Sequence, residues 1–320
     1  MKILANDGIS QEGVQILEKH GFQISTKNIP QAELIQTINA ENYEVLLVRS
    51  ATTARKELID ACPGLKLIGR GGVGMDNIDV DYARSTGIQV INTPGASSQS
   101  VAELVMGSLF ALSRDLHHAY RFMPTTGTSE FNALKKKYGK GQELRGKTIG
   151  IVGFGRIGQV LASYALGVGM KVRAFDMNSN PVSIPLTING LNDIKITLTP
   201  ETNLMENLGE LDYISLHVPK QANGTAIFNQ EEIDKMKDGV ILVNAARGGV
   251  IDENALISGL NSGKIRAAGL DVFENEPTPM ASLLTHEKIG STPHIGAATD
   301  EAQDRIGGEL AHLIVDYFKN

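Results

Sequence analysis

The stretch "IVGFGRIG" at 151–158 spaces three glycines as GxGxxG, and "GRGGVG" at 69–74 repeats the spacing. Glycine marks any tight turn, so the flanking residues decide what each copy is for. Around the later copy they agree. "KTIGIV" ahead of it reads as a buried parallel strand, and "QVLASYALG" behind it has apolar residues at helical spacing and a terminal glycine. "MKVRAFD" then supplies a second strand, ending in Asp176, 18 positions past Gly158. A carboxylate there accepts from the ribose hydroxyls of a dinucleotide. Gly153 permits the tight turn, Gly155 lets the backbone approach a pyrophosphate, and Gly158 lets helix pack on strand. The helix start, with Arg156 and Ile157, offers amide donors to the anion.

The earlier copy fails this test. "MDNIDVD" follows it at once, polar and turn-rich, and the next strand-like run, "GIQVIN", ends in Asn92 where an acid is needed. Its glycines still imply close approach to some backbone, and Arg70 sits among them.

At 320 residues the chain is long enough for two domains. No apolar run approaches the roughly 20 residues of a membrane span, and "MKILANDG" lacks the apolar segment of a secretory signal, so a cytoplasmic protein is expected. The single cysteine, Cys62, excludes an intrachain disulfide, and a net charge of −6 argues against a nucleic-acid surface.

Up to residue 92, short apolar runs ("KILA", "FQIS", "EVLLV", "LKLIG", "GIQVIN") alternate with segments of helical spacing, as in a parallel sheet with crossover helices. Ser100 with Glu103 three residues later reads as a capping box opening one long helix over 101–123. The apolar face of that helix is wide enough to serve an interface as well. A second α/β series begins at 148. Asn189-Gly190, between alternating apolar and polar residues, marks a β-hairpin inserted near 182–199. The fold class is therefore α/β, two doubly wound parallel-sheet domains.

In open parallel sheets ligands bind beyond the carboxyl ends of the strands, so polar residues directly after apolar runs carry the most information. "LHVP" places His217, Val218 and Pro219 there, and "ILVNAARGG" places Ala245, Ala246 and Arg247. "GLDVFENEP" places Asp271, Glu274 and Glu276, and "STPHIGAAT" places His294 and Gly296. Arginine's fixed fork suits bidentate binding of a carboxylate. Histidine suits proton exchange near neutrality, and a neighbouring glutamate would orient its ring and favour its protonated form. Beside a nicotinamide, such groups would let a secondary alcohol lose its proton to histidine and its hydride to the cofactor. On residues alone, Glu274 could stand in for Glu276.

Together, "GFGRIG" with Asp176, "NAARGGVIDENAL", "LDVFENEP" and "PHIGAATDEAQ" resemble the D-isomer-specific 2-hydroxyacid dehydrogenases over nearly the whole chain. The resemblance implies that Arg247 binds the substrate carboxylate, His294 is the acid/base and Glu276, favoured by register over Glu274, pairs with it. It further implies NAD as cofactor, with contacts from Gly153, Gly155, Arg156, Ile157, Gly158, Asp176, His217, Val218, Pro219, Ala245, Ala246, Asp271, Gly296 and Val73. No arginine follows Asp176 directly, which favours NAD over NADP. A Rossmann-type NAD domain (98–292) would be inserted into a flavodoxin-like substrate domain (1–97 and 293–320), and members usually form homodimers.

"VRSATT", "GRGGVGMDNIDV" and the 18-residue spacing from Glu276 to His294 are most similar to members that oxidise 3-phosphoglycerate with NAD. Arg49, Ser50, Arg70, Gly71 and Gly72 would then face the substrate, as would Lys136 from a loop "LKKKYGKG". The tryptophan common near that loop is absent, with Phe131 in its neighbourhood. Because the sequence stops at Asn320, control by serine through a further C-terminal domain is not expected. Glyoxylate or hydroxypyruvate reduction by the same three residues is the nearer alternative, and a non-catalytic NAD-sensing module the more distant one. Asp115, His117 and His118 are not expected to bind metal, because adjacent helical side chains diverge.

Overall fold

The computed structural model describes residues 1–221 and 223–319, with residues 191–193 by their backbone. The chain forms two compact units, Met1–Ser100 with Ala297–Asn320, and Val101–Gly296.

The first unit is built on β1 (Lys2–Ala5), β2 (Gln23–Ser25), β3 (Val45–Val48), β4 (Leu67–Arg70) and β5 (Gln89–Asn92), all parallel, in the order β2-β1-β3-β4-β5. This is the flavodoxin-like arrangement expected. Its helices are α1 (Gln11–Lys19), α2 (Gln31–Glu41), α3 (Lys56–Ala61), α4 (Val80–Ser85) and α12 (Asp300–Lys319). Both sheet faces are covered, so the central strand β3, Val45–Val48, is apolar and buried without a break. Leu4, Leu46, Val48, Ile68 and Val90 pack under Leu34 and Ile38 of α2 and Leu58 of α3. Ile3, Ala5, Val45, Leu47 and Leu67 face Leu17 of α1 and Ala311, Ile314 and Val315 of α12. Truncating a fully buried leucine such as Leu17 in such a layer costs about 2–5 kcal/mol.

The second unit holds β6 (Thr148–Val152), β7 (Lys171–Phe175), β10 (Tyr213–Leu216), β11 (Val240–Asn244), β12 (Ile265–Leu270) and β13 (Ile289–Ser291), ordered β13-β12-β11-β10-β6-β7 and all parallel. Its helices are α5 (Ser98–Arg114), α6 (Leu116–Lys137), α7 (Arg156–Gly167), α8 (Leu204–Asn207), α9 (Gln230–Lys235), α10 (Glu253–Ser262) and α11 (Ala281–Leu284). A Rossmann sheet would carry one more strand beside β7. Here that place is taken by a single bridge, Phe175 to Glu201. The intervening chain is instead the hairpin β8 (Val182–Ile188) and β9 (Leu191–Leu198), anchored through buried Ile184. Within its turn Gly190 takes φ 82°, and the register shifts between Leu186 and Ile188.

Several expectations need correction. The helix over 101–123 is two helices, because Asp115 adopts a left-handed φ of 53° between α5 and α6. α5 begins at Ser98, so Ser100 lies inside it and cannot cap it. Lys136 is not on a loop but in the last turn of α6. β13 is only 3 residues long, too short to show a period, and escapes a reading of pattern. The second unit runs to Gly296, whose amide, like that of Ile295, is donated to Asp271. Among the described residues, no helix is long and apolar enough to cross a membrane.

Candidate active site

Six of the residues the sequence singles out in the second unit follow the carboxyl ends of strands of one sheet. Gly153 follows β6, Asp176 follows β7 and His217 follows β10; Arg247 lies beyond β11, Asp271 follows β12 and His294 lies beyond β13. The strand order reverses between β6 and β10, which is where such a sheet opens a crevice.

The glycine turn lies at that reversal. Gly153 has φ 89°, and a Cβ on it would stand 2.5 Å from the carbonyl oxygen of His217. A Cβ on Gly158 would stand 2.4 Å from the carbonyl oxygen of Gly153. Both positions therefore exclude any other residue. Gly155 differs, since its Cβ would meet nothing within 4 Å, and that open space is what a pyrophosphate requires. Gly155 also caps α7 with no side chain bonded to the first helical amides, leaving them to an anion. Asp176 accepts from Phe154 N at 2.7 Å with one oxygen and from Asn178 N at 3.0 Å with the other. Each carboxylate oxygen has a lone pair left for a ribose hydroxyl. The loop, the open cradle and the acid fit a dinucleotide.

His217 closes the loop from behind. Its backbone N–H donates to Val152 O at 2.7 Å, and its ring Nε2 lies 2.8 Å from Ser215 Oγ. Its Nδ1 is buried without a partner, and burial pushes the imidazole down to about 4. His217 is thus a neutral ring at neutral pH.

The Arg247 loop is shaped by Asn244, which the sequence reading passed over. Asn244 is buried, accepts from Ala246 N at 3.0 Å through Oδ1 and donates through Nδ2 to Arg247 O at 2.9 Å. Its signal was available: a polar residue closing an otherwise apolar central strand. Arg247 is half-buried and donates from Nη1 to Ala246 O at 2.6 Å.

Glu276 and His294 come together across 18 residues of sequence. Glu276 accepts from Phe273 N at 3.0 Å through Oε1, while its Oε2 lies 2.8 Å from His294 Nδ1. This resolves the choice between Glu274 and Glu276. With Nδ1 engaged, Nε2 is the ring nitrogen left for chemistry. His294 takes a left-handed φ of 54°, rare for a residue with a side chain. Asp271 holds it there: Oδ1 accepts from Thr292 Oγ1 at 2.6 Å and Ile295 N at 2.8 Å, and Oδ2 accepts from Gly296 N at 2.8 Å.

In the first unit, Arg49 directly follows β3 and Arg70 ends the neighbouring β4, in register with Val48. Asp7, also missed in the sequence, orders the start of this loop by accepting from Arg49 N at 2.6 Å and Thr52 N at 3.0 Å. Burial pushes the Arg49 guanidinium below its usual range. Gly72 has φ 140°, and a Cβ there would stand 2.3 Å from Arg70 Nη1. Ser50 and Val73 are exposed on the same set of loops.

A cavity of about 920 Å³ lies elsewhere in the second unit, between α5, α6 and the 284–292 segment, and none of Arg247, Glu276 or His294 lines it. His117 and His118 do line it, with ring centroids 4.1 Å apart and His118 Nδ1 2.6 Å from Asp115 Oδ1. The two rings therefore do not diverge as expected, and both sit in the first turn of α6, directly after the left-handed Asp115.

The model of the "D-isomer specific 2-hydroxyacid dehydrogenase, NAD binding domain" matches residues 106–296. The chain belongs to this family. A hydroxypyruvate reductase of Thermotoga maritima is 43% identical over 98% of this chain and 97% of its own length. A D-3-phosphoglycerate dehydrogenase of Methanocaldococcus jannaschii is 40% identical over 98% of this chain but 57% of its own length, so the chain spans little more than half of that relative. Among solved structures, the TT0316 protein of Thermus thermophilus superposes with a TM-score of 0.84 at 30% identity, covering 99% of this chain and 97% of that one. The protein is accordingly an NAD-dependent dehydrogenase of D-2-hydroxy acids, and NAD is the dinucleotide its second unit accommodates.

Proposed function

We propose that this dehydrogenase oxidises 3-phosphoglycerate to 3-phosphohydroxypyruvate, a first step toward serine, and works as a cytoplasmic homodimer. The carrying observation is the pair Arg49 and Arg70 at the ends of adjacent strands of the first unit. Two arginines at the carboxyl end of one sheet suit a dianionic phosphate, which an unphosphorylated acid does not need. In this reading Arg247 clamps the substrate carboxylate and His294 Nε2 removes the hydroxyl proton. Glu276 holds the ring in the tautomer and orientation that make this possible. NAD, when bound, supplies the hydride acceptor. Gly153, Gly155, Gly158 and Asp176 would hold it, with the amides of Arg156 and Ile157 on its pyrophosphate. His217, Val218, Pro219, Ala245, Ala246, Asp271, Gly296 and Val73 belong to the same proposal, and Ser50, Gly71, Gly72 and Lys136 to the substrate side.

A second reading, reduction of hydroxypyruvate, is favoured by one observation, the 43% identity to a hydroxypyruvate reductase over almost its full length. Steady-state rates with 3-phosphoglycerate, D-glycerate, D-lactate and hydroxypyruvate separate the two. The first reading expects kcat/KM to be highest for the phosphorylated acid and to fall about a hundredfold in Arg49→Ala and Arg70→Ala. Preference for an unphosphorylated acid, with both variants indifferent, transfers the assignment to the reductase. In either case His294→Asn should lose about 10²–10⁴-fold in kcat, and unchanged turnover would remove His294 from the chemistry.

The dimer proposal rests on exposed Phe110, Tyr120, Phe122, Met123 and Phe131 along α5 and α6. Light scattering should give twice the 34.4 kDa of one chain, and a monomeric mass would refute it. Cell fractionation checks the compartment.

A further inference from the structure

Among the described residues only two carboxylates are almost fully buried, Glu253 and Asp271. Burying a carboxylate is costly unless it is hydrogen-bonded, so each needs a reason. Asp271 has one already: it holds the backbone on the His294 side of the Glu276–His294 pair. Glu253 occupies the matching position on the Glu276 side. It accepts from Glu274 N at 2.8 Å, two residues before Glu276, in the same turn whose Phe273 N–H donates to Glu276 Oε1.

The turn is also wedged against the Arg247 loop. A Cβ on Gly248 would stand 1.9 Å from Phe273 O and 2.6 Å from Glu274 N, so the two backbones are in direct contact. Glu253 opens α10, the helix that the Arg247 loop leads into, and Asp252 caps that helix by accepting from Ala255 N at 2.8 Å. The carboxylate of Glu253 is therefore the polar link between the segment carrying the substrate-binding arginine and the turn carrying Glu276. Burial, followed by the nearby charges of Glu274 and Asp252, pushes its carboxyl upward, while the Glu274 amide works the other way. Lys220 Nζ and Glu274 Cγ both flank Gly249, 3.3 Å and 3.7 Å from where its Cβ would be. An acid kept where its charge is disfavoured, with its acceptor bond made to one backbone amide, is there for that bond.

We infer that Glu253 is a positioning residue, which fixes the 273–276 turn so that Glu276 meets His294 in the register set by Arg247. The inference rests on the proposed roles of Arg247, Glu276 and His294.

The test compares Glu253→Leu, which fills the space without an acceptor, with Glu253→Gln, which keeps one. Glu253→Leu should lower kcat by about ten- to a hundredfold through misplacement of the pair, and leave the NADH dissociation constant within about twofold, since the glycine turn is untouched. Glu253→Gln should restore kcat to within about threefold of the unaltered enzyme. A wild-type kcat in a folded Glu253→Leu enzyme overturns the inference, as does a Gln variant no better than the Leu variant. Should Glu253→Leu fail to fold, amide exchange of Glu274 in the unaltered protein decides. Strong protection is expected, and exchange at the rate of an open loop overturns the tether. The outcomes are separable, because an unaltered chain that turned over no 2-hydroxy acid would sink the functional reading while the exchange measurement still judged the tether.

Discussion

The two GxGxxG stretches have the same spacing and opposite fates. At 69–74 the backbone is spent on the protein itself: Gly71 N donates to Val48 O at 3.0 Å, Gly72 N donates to Thr93 Oγ1 at 2.8 Å, and Val73 O accepts from Asn92 Nδ2 at 2.7 Å. No helix begins there. At 153–158 the same spacing opens directly into α7, whose first amides have no side-chain cap, and Asp176 steadies the turn through Phe154 N. What distinguishes a nucleotide turn is thus the donors it leaves over, and glycine spacing only makes the turn possible.

The sharpest way to break this comparison is to add one methyl group to each turn. In Gly153→Ala the new Cβ falls 2.5 Å from His217 O at a φ of 89°, so both backbone strain and a backbone clash must be relieved. We expect NADH affinity to drop by about a hundredfold or more, equivalent to about 3 kcal/mol. In Gly71→Ala the Cβ falls 3.1 Å from Ile306 Cγ2 and 3.7 Å from Arg49 Cγ, contacts that side chains can accommodate. There NADH affinity should stay unchanged at a stability cost of about 1 kcal/mol. Fluorescence titration of both variants decides, and equal losses would end the distinction.

A smaller effect sharpens it further. Asp176 braces the second turn through Phe154 N, and in the proposed reading its remaining lone pairs take the ribose hydroxyls. Asp176→Ala should weaken NAD by about tenfold and narrow the preference over NADP, whose extra phosphate the carboxylate would repel. If the ratio of NAD to NADP kcat/KM did not move, Asp176 would be a brace alone.

The comparison also explains what the sequence could and could not disclose. Strand, turn, helix and acid occur consecutively over 148–176, so local pattern was enough to find the nucleotide turn. Arg247 was visible for a related reason, since it follows an apolar run that can only be a buried strand, whereas His294 follows the short β13 and was placed by its family motif. The Glu276–His294 bond spans 18 residues, and its partner was chosen by register against a family motif, since Glu274 has the same chemistry. Asp7, Asn244, Glu253 and Thr292 escaped because their work is on backbone amides, carbonyls and buried oxygens, to which sequence periodicity is blind. The left-handed Asp115 escaped because helical apolar spacing continues across it, and a single residue's φ leaves no trace in that period.

The smallest effect concerns what stands behind the second turn. His217 is held neutral, its imidazole pushed down to about 4 by burial, whereas an unfolded histidine titrates near 6.5. A depressed histidine stabilises the fold above its unfolded value, and that contribution is lost as pH falls through about 4. The difference caps the effect at about 3 kcal/mol. Glu253 works in the opposite sense: its raised carboxyl gives stability that is full below the ordinary carboxylate range and lost as pH rises through its folded value. The acid limb of a stability profile therefore contains two opposed contributions, and only one of them touches the turn. In His217→Asn the thermal midpoint should decline less between pH 6.5 and 4 than in the unaltered protein, with the Glu253 contribution left in place. An identical decline in both would mean that the ring behind Gly153 is solvated, and that the second turn is held by its backbone alone.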